Sequence, residues 1–233
     1  MIRALLFDMD GTLADTEPLH LRALRTALAL RGRDLSDEVF HREMSGRPSL
    51  EVAARLFPEE TALGHAALVE QKETLFREMA VGLAPTRGLE ALLERAARQG
   101  LRTALVTNAP RRNAEHTLAV LGLSRRFDVM VLAGELARSK PDPLPYLTAL
   151  AQLSLAPHEA LAFEDSVPGI LSATRAGVRT VGVSTSLDGK TLLGAGAAFV
   201  IDDFVDFPAL SELRAMIDSK SWPRHIPPTP LPQ

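Results

Sequence analysis

The sequence predicts an α/β protein: a Rossmann-like parallel sheet core with an inserted all-helical cap domain. Three observations predict it. Beyond Arg87, short apolar runs alternate with helical stretches at the interval of strand–helix–strand units, which makes a parallel sheet covered on both faces. Between residues 15 and 80, helical patterns recur and no convincing strand interrupts them. The 233 residues suffice for one large domain, or for a core that carries an insertion. The expected division is a core of residues 1–14 and 86–219, a helical cap with its return linker over 15–85, and a proline-rich tail over 220–233.

The elements follow in order. Ala4-Leu5-Leu6-Phe7 reads as a buried strand that stops at Asp8, and Gly11 then allows a sharp turn. A helix starts near Thr16, a capping residue, with Glu17 at its positive end and Pro18 in its first turn. It places Leu19, Ala23, Leu24, Ala27 and Leu28 at helical spacing and stops at Gly32. Ser36-Asp37 opens a short helix over 36–41, and Ser45-Gly46-Arg47-Pro48 is a loop. Helices resume over 49–57 and 60–79, and 81–85 is the return linker. Strands are expected over 102–107, 127–133, 160–163, 178–183 and 198–201, with helices over 87–99, 111–121, 143–153 and 168–176 around them. Five prolines between Trp222 and Gln233 bar the tail from helix and central strand, so an extended, polyproline-like, unstructured end is expected.

Composition narrows the function. At 46% hydrophobic and 24% charged residues the chain has the make-up of a soluble globular enzyme. A net charge of -3 offers no basic face for nucleic acid. No stretch is long and apolar enough to span a bilayer, and the first apolar run is too short for a signal peptide. The lack of cysteine removes disulfides, thiolate metal sites and a cysteine nucleophile, and it fits a reducing cytoplasm. No long apolar surface stripe calls for a dimer, so a monomer is expected.

The polar residues gather at four expected strand ends, where ligands of such sheets bind. Asp8 and Asp10 follow the first strand. Two acids there repel each other and lose hydration, and they persist only when a cation or a proton compensates them. With oxygen ligands only, the expected cation is Mg²⁺. An isolated Asp-x-Asp more often describes an acidic loop that caps a helix or faces water; here three further pieces downstream outweigh that reading. Thr107-Asn108 offers a hydroxyl and free N–H groups to a phosphate, or a cap to the next helix. Lys140 precedes Pro141, which biases it to an extended conformation, and Asp142 is placed to cap the helix after it. Glu164-Asp165 follows another apolar strand. Such a set can do phosphoryl chemistry. An aspartate can attack phosphorus, a second acid can move the protons, and lysine and the threonine turn can hold the transferring oxygens.

In order, Asp8-Met9-Asp10-Gly11-Thr12, Thr107-Asn108, Lys140-Pro141 and Glu164-Asp165-Ser166 resemble the four motifs of the haloacid dehalogenase-like hydrolase superfamily. The resemblance extends to about Ser219. Asp15-Thr16-Glu17-Pro18-Leu19-His20 and Glu164-Asp165-Ser166-Val167-Pro168-Gly169 are similar to its beta-phosphoglucomutase and phosphoglycolate-phosphatase-like branch. The resemblance implies that Asp8 is the nucleophile and a Mg²⁺ ligand, and that Asp10 is the general acid/base with its backbone carbonyl on the metal. It implies that Asp165 ligates the metal with Glu164 beside it. Thr107, the Asn108 backbone and Lys140 would hold the phosphoryl group. The dehalogenase and phosphonatase branches lack the second aspartate, so Asp10 argues against both.

The expected function is a Mg²⁺-dependent phosphatase of small phosphorylated metabolites, such as a sugar phosphate or phosphoglycolate, acting through an aspartyl-phosphate. The alternative is a beta-phosphoglucomutase-type sugar phosphomutase, which needs cap residues for a second phosphate. The candidates are Arg47, Lys72 and His20. Those mutases place an arginine three residues after the cap-loop glycine, where this chain has Ser49. A non-catalytic phosphosugar-binding protein is a remote third reading, because none of the four motifs is missing.

Overall fold

The computed structural model describes residues 1–36, 38, 39, 49–205, 207, 225 and 226. A single sheet runs in the order β3-β2-β1-β4-β5-β6-β7, every neighbouring pair parallel. Its strands are β1 (Ala4–Phe7), β2 (Arg102–Thr107), β3 (Val129–Leu132), β4 (Ala160–Glu164), β5 (Arg179–Val183), β6 (Phe199–Ile201) and β7 (His225–Ile226). The unbroken apolar runs are explained by burial on both sides. Leu5, Phe7, Leu105, Leu161 and Phe163 point to one face, where α4 (Leu89–Arg98) and α5 (Arg111–Val120) pack through Leu89, Leu92, Leu93, Ala114 and Leu118. Ala4, Leu6, Ala104, Val106, Ala160 and Ala162 point to the other, against α6 (Leu144–Leu153) and α7 (Val167–Arg175). Side chains on that second face are mostly small, which suits close packing of Tyr146 and Leu150.

Register sets the site. Phe7 pairs with Leu105 on one side and with Phe163 on the other, so three strands finish level. The ladder runs one residue further, from the Asp8 N–H to the Phe163 carbonyl at 3.0 Å. Asp8 and Glu164-Asp165 therefore leave the sheet side by side although 156 residues separate Asp8 from Glu164 in sequence.

Between β1 and α4 lie α1 (Glu17–Ala29), α2 (Ser49–Leu56) and α3 (Ala62–Met79). They share a separate apolar core of Leu24, Ala27, Leu28, Val52, Ala53, Phe57 and Leu68. The two crossings between this unit and the sheet core are joined: the Thr86 N–H donates to the Leu13 carbonyl and the Thr86 hydroxyl to the Thr12 carbonyl, each at 2.8 Å.

Several expectations need correction. β3 is shorter than 127–133, because the chain turns into a 3-10 segment at Ala133–Glu135. A short helix, α8 (Gly189–Gly194), went unpredicted; Asp188 caps it by accepting from the Thr191 N–H at 3.0 Å. Lys140 is not at a strand end but eight residues beyond β3, just before α6. The tail is not wholly unpaired: His225–Ile226 add a two-residue parallel edge strand beside β6. Both residues carry the backbone N–H that a ladder bond needs. Most of the helix expected over 36–41, and the loop 45–48 with Arg47, lie outside the described residues.

Gly88 shows a close approach. Its φ is +79°, and an added Cβ would fall 2.4 Å from the Val205 nitrogen and 2.5 Å from the Phe204 carbonyl carbon. Gly88→Ala is expected to destabilise the fold by roughly 1–3 kcal/mol. Urea denaturation checks this; an unchanged midpoint would mean that the 204–205 segment yields freely.

Candidate active site

The first polar residue past β1 meets a cation. Lys140 Nζ donates to Asp8 Oδ1 at 2.6 Å and to Glu164 Oε1 at 2.5 Å. Tyr146 donates its hydroxyl to the same Glu164 oxygen at 2.5 Å. All four are buried. Lys140 arrives there because its loop is pinned from several sides. Its N–H donates to Asn108 Oδ1 at 3.3 Å, and Ser172 and Arg175 of α7 donate to the Asp142 and Pro141 carbonyls. Asp142 Oδ1 accepts from the Leu144 N–H at 2.9 Å, one residue ahead of the cap position expected for it, which Pro143 occupies.

Glu164 and Asp165 are not spent on capping α7. Ser166 does that, accepting from the Gly169 N–H at 3.2 Å. Ser186, just past β5, donates to Asp165 Oδ2 at 2.5 Å. Oxygens of Asp8, Glu164 and Asp165 lie within 4.8 Å of one another, a group that could hold a metal ion. The chain makes room for these carboxylates by omitting side chains. A Cβ on Gly11, whose φ is +75°, would fall 1.9 Å from Asp165 Oδ2, and one on Gly169 would fall 1.6 Å from Glu164 Oε2.

Three buried acids around one ammonium leave negative charge without solvent. Burial, reinforced by Glu164 and Asp10 and only partly opposed by Lys140, pushes the Asp8 carboxyl up to about 7. Burial and the Asp8 charge push Asp165 well up too. Burial alone would lower Lys140, but Asp8 and Glu164 outweigh it and hold the ammonium charged. This cluster lacks positive charge, and three carboxylates with all-oxygen donors are a fit for a hard divalent cation.

Asp10 faces the helical unit instead. Thr16, expected as a helix cap, makes no cap bond; its hydroxyl donates to Asp10 Oδ1 at 2.8 Å. His20 Nε2 lies 3.3 Å from the same oxygen, and its Nδ1 lies 2.9 Å from Lys72 Nζ. An ammonium has donors only, so Nδ1 must accept and the ring proton sits on Nε2, aimed at Asp10. The His20 ring stacks on Phe76 at 4.2 Å between centroids. Burial works to raise the Asp10 carboxyl, but the His20 bond, with Thr16 and Lys72, holds it below the usual range. Lys72 also contacts Glu73 at 3.0 and 3.1 Å.

A cavity of about 400 Å³ joins these groups, with Asp8, Asp10, Thr107, Lys140 and Asp165 at its floor and Leu24, Val52, Leu68 and Lys72 on the helical side. Residues 5–183 match the family model described as haloacid dehalogenase-like hydrolase. The chain belongs to the haloacid dehalogenase-like hydrolase family. It is 35% identical over 207 residues to the phosphorylated carbohydrates phosphatase of Thermotoga maritima, covering 86% of this chain and 94% of that one. It is 35% identical over 224 residues to the N-acetylmuramic acid 6-phosphate phosphatase of Pseudomonas putida, covering 94% and 97%. The crystal structure of CbbY from Rhodobacter sphaeroides in complex with phosphate matches with a TM-score of 0.83 at 30% identity, covering 92% of this chain and 100% of that one.

In this haloacid dehalogenase-like hydrolase, the structure brings together Asp8, Asp10, Thr107, Asn108, Lys140 and Asp165 around one cavity, with His20 and Lys72 on its helical side. Glu164 lies beneath them, fully buried. Thr107 Oγ1 accepts from the Ala109 N–H at 3.0 Å and does not cap α5, which begins after Pro110. Tyr146, Ser186, Glu73 and Asn113 were missed. The chain has a single tyrosine, and it sits on a largely apolar helix; that was a usable signal. Ser186 closes Ser184-Thr185-Ser186, a polar run past a strand, which is the signal that exposed the other acids. Nothing in the sequence set Glu73 and Asn113 apart from surface residues.

Burial opposes ionisation of Glu73, but the Lys72 ammonium beside it and a bond from Ser49 hold its carboxyl below the usual 4.5. The unfolded chain thus takes up this proton at higher pH than the folded one. The stability it supplies is present above about 4.5 and is lost as pH falls through the folded value. Urea midpoints between pH 3 and 6 are expected to fall less steeply for Glu73→Gln than for the wild type.

Proposed function

We propose that this hydrolase is a Mg²⁺-dependent phosphatase of small phosphorylated metabolites, phosphorylated sugars first among them, working through an aspartyl-phosphate on Asp8. One observation carries the reading: Asp8 lies at the floor of the cavity with Lys140 on one of its oxygens and the carboxylates of Glu164 and Asp165 beside it. The names of its relatives, among them phosphatases of phosphorylated carbohydrates and of N-acetylmuramic acid 6-phosphate, support the same class.

Each residue then has a task. Asp8 attacks phosphorus, the ester oxygen leaves, and Asp10, which must first take up a proton against the His20 and Thr16 bonds that hold its carboxyl low, gives that oxygen its proton. Water attacks the aspartyl-phosphate in the second half, Asp10 takes a proton from it, and inorganic phosphate departs with Asp8 restored. Lys140 and the Thr107 hydroxyl face the transferring oxygens, where charge spreads in the transition state. Asp8 and Asp165, with Glu164 behind them, are the residues that would hold Mg²⁺, whose charge would offset that between phosphate and carboxylates. A second phosphate, as a mutase requires, finds little welcome among the described residues: Lys72 is taken by Glu73 and His20, and Ser49 donates to Glu73 at 2.7 Å.

Release of inorganic phosphate from a panel of phosphorylated metabolites tests this, with glucose 1-phosphate included to catch isomerisation. Chelating Mg²⁺ is expected to stop turnover. Asp8→Asn is expected to abolish it, and near wild-type turnover in that variant would remove Asp8 as nucleophile. Asp10→Asn is expected to lower kcat by about 10²–10⁴.

A further inference from the structure

One side chain of the core grips two opposite charges of the helical unit. Asn113, on α5, donates from Nδ2 to Glu73 Oε2 at 2.7 Å and accepts at Oδ1 from Arg77 Nη1 at 2.7 Å. Glu73 and Arg77 stand four residues apart on α3, so they share one face of that helix. A single amide, donor at one end and acceptor at the other, matches that acid–base pair in one relative setting of α3 and α5 only. Asn113 is 1% exposed and Glu73 3%. Sliding either helix would strand a buried carboxylate and a buried amide without partners, which is costly.

The grip does not end at Glu73. Its Oε1 accepts from Lys72 at 3.0 Å, Lys72 donates to His20 Nδ1 at 2.9 Å, and His20 Nε2 reaches Asp10 Oδ1 at 3.3 Å. A continuous polar chain thus runs from the core helix, through the helical unit, and back to an acid of the core. We propose that Asn113 is a positioning residue: it sets the register of the helical unit over the sheet core, and Glu73 passes that register through Lys72 and His20 to Asp10. Asn113 touches no reacting atom. It acts by keeping Lys72 where it fixes the His20 proton on the nitrogen facing Asp10. The kinetic consequence rests on the phosphatase reading; the geometric one does not.

The two are separated by experiment. The chain has no cysteine, so spin labels can be placed cleanly at Leu63→Cys on α3 and Leu147→Cys on α6, both exposed positions. In ligand-free protein the inter-label distance is expected to be narrowly distributed. Asn113→Asp sets a carboxylate against Glu73 and is expected to broaden that distribution and to lower kcat/KM roughly ten- to hundredfold, mainly through kcat. Adding Glu73→Gln restores a donor opposite the new acid and is expected to recover the narrow distribution and most of the rate. Asn113→Ala, which removes both bonds without adding charge, gives the same reading should Asn113→Asp not fold. An unchanged distance distribution in the Asn113 variants, or no recovery in the double variant, overturns the proposal. A wild type that hydrolyses no phosphate ester overturns the phosphatase reading and leaves the distances to decide this one.

Discussion

The contact between Lys140 and the two carboxylates of Asp8 and Glu164 is the constraint on which the rest of this structure depends. An ammonium and two acids stripped of water each cost several kcal/mol to bury, and only mutual contact at hydrogen-bond distance offsets that. Here the contacts are 2.5 and 2.6 Å, and Tyr146 supplies a further donor. The offset is incomplete, because Asp165 adds a third acid and the group as a whole remains short of positive charge. The architecture keeps an electrostatic deficit in place and directs a cavity onto it.

Holding that deficit takes most of the fold. Parallel strands of matched register bring Asp8 and Glu164 out of the sheet together. Ser166 relieves Glu164 and Asp165 of capping duty, and glycine at 169 and 11 leaves space for their oxygens. The loop before α6 would carry Lys140 anywhere were it not tied to Asn108, Ser172 and Arg175. Apolar packing does the remaining work: Phe163 stacks on Phe7 at 4.8 Å directly beneath the site, with Phe204 and Phe207 against its edges.

Much of this could be read from the sequence because it is local. Ala4-Leu5-Leu6-Phe7 before Asp8, or Ala160 to Phe163 before Glu164-Asp165, join an apolar run to charge in a way that few surface segments do. The alternation of strand and helix, and the glycines that stop helices, are local as well. What escaped depends on side chains meeting across the chain. Thr16 has a capping residue's position, yet its hydroxyl turns to Asp10, which becomes visible only when β1 and α1 are placed together. Glu73 resembles any helical acid until Ser49, Lys72 and Asn113 surround it. Tyr146 is core, but its hydroxyl reaches Glu164. The short β3 and the pairing of His225–Ile226 were lost because neither has a pattern of its own; neighbouring strands decide them.

The bonds from Thr86 to Thr12 and Leu13 place the entry and exit of the helical insertion next to each other. Whatever lies between them is a detour that starts and finishes at one spot of the core. Evolution, or a protein engineer, could exchange that detour for a longer or shorter one while the strands underneath kept their spacing. The helical wall of the cavity and the carboxylates beneath it would then be inherited separately, as two genetic modules joined at a single seam.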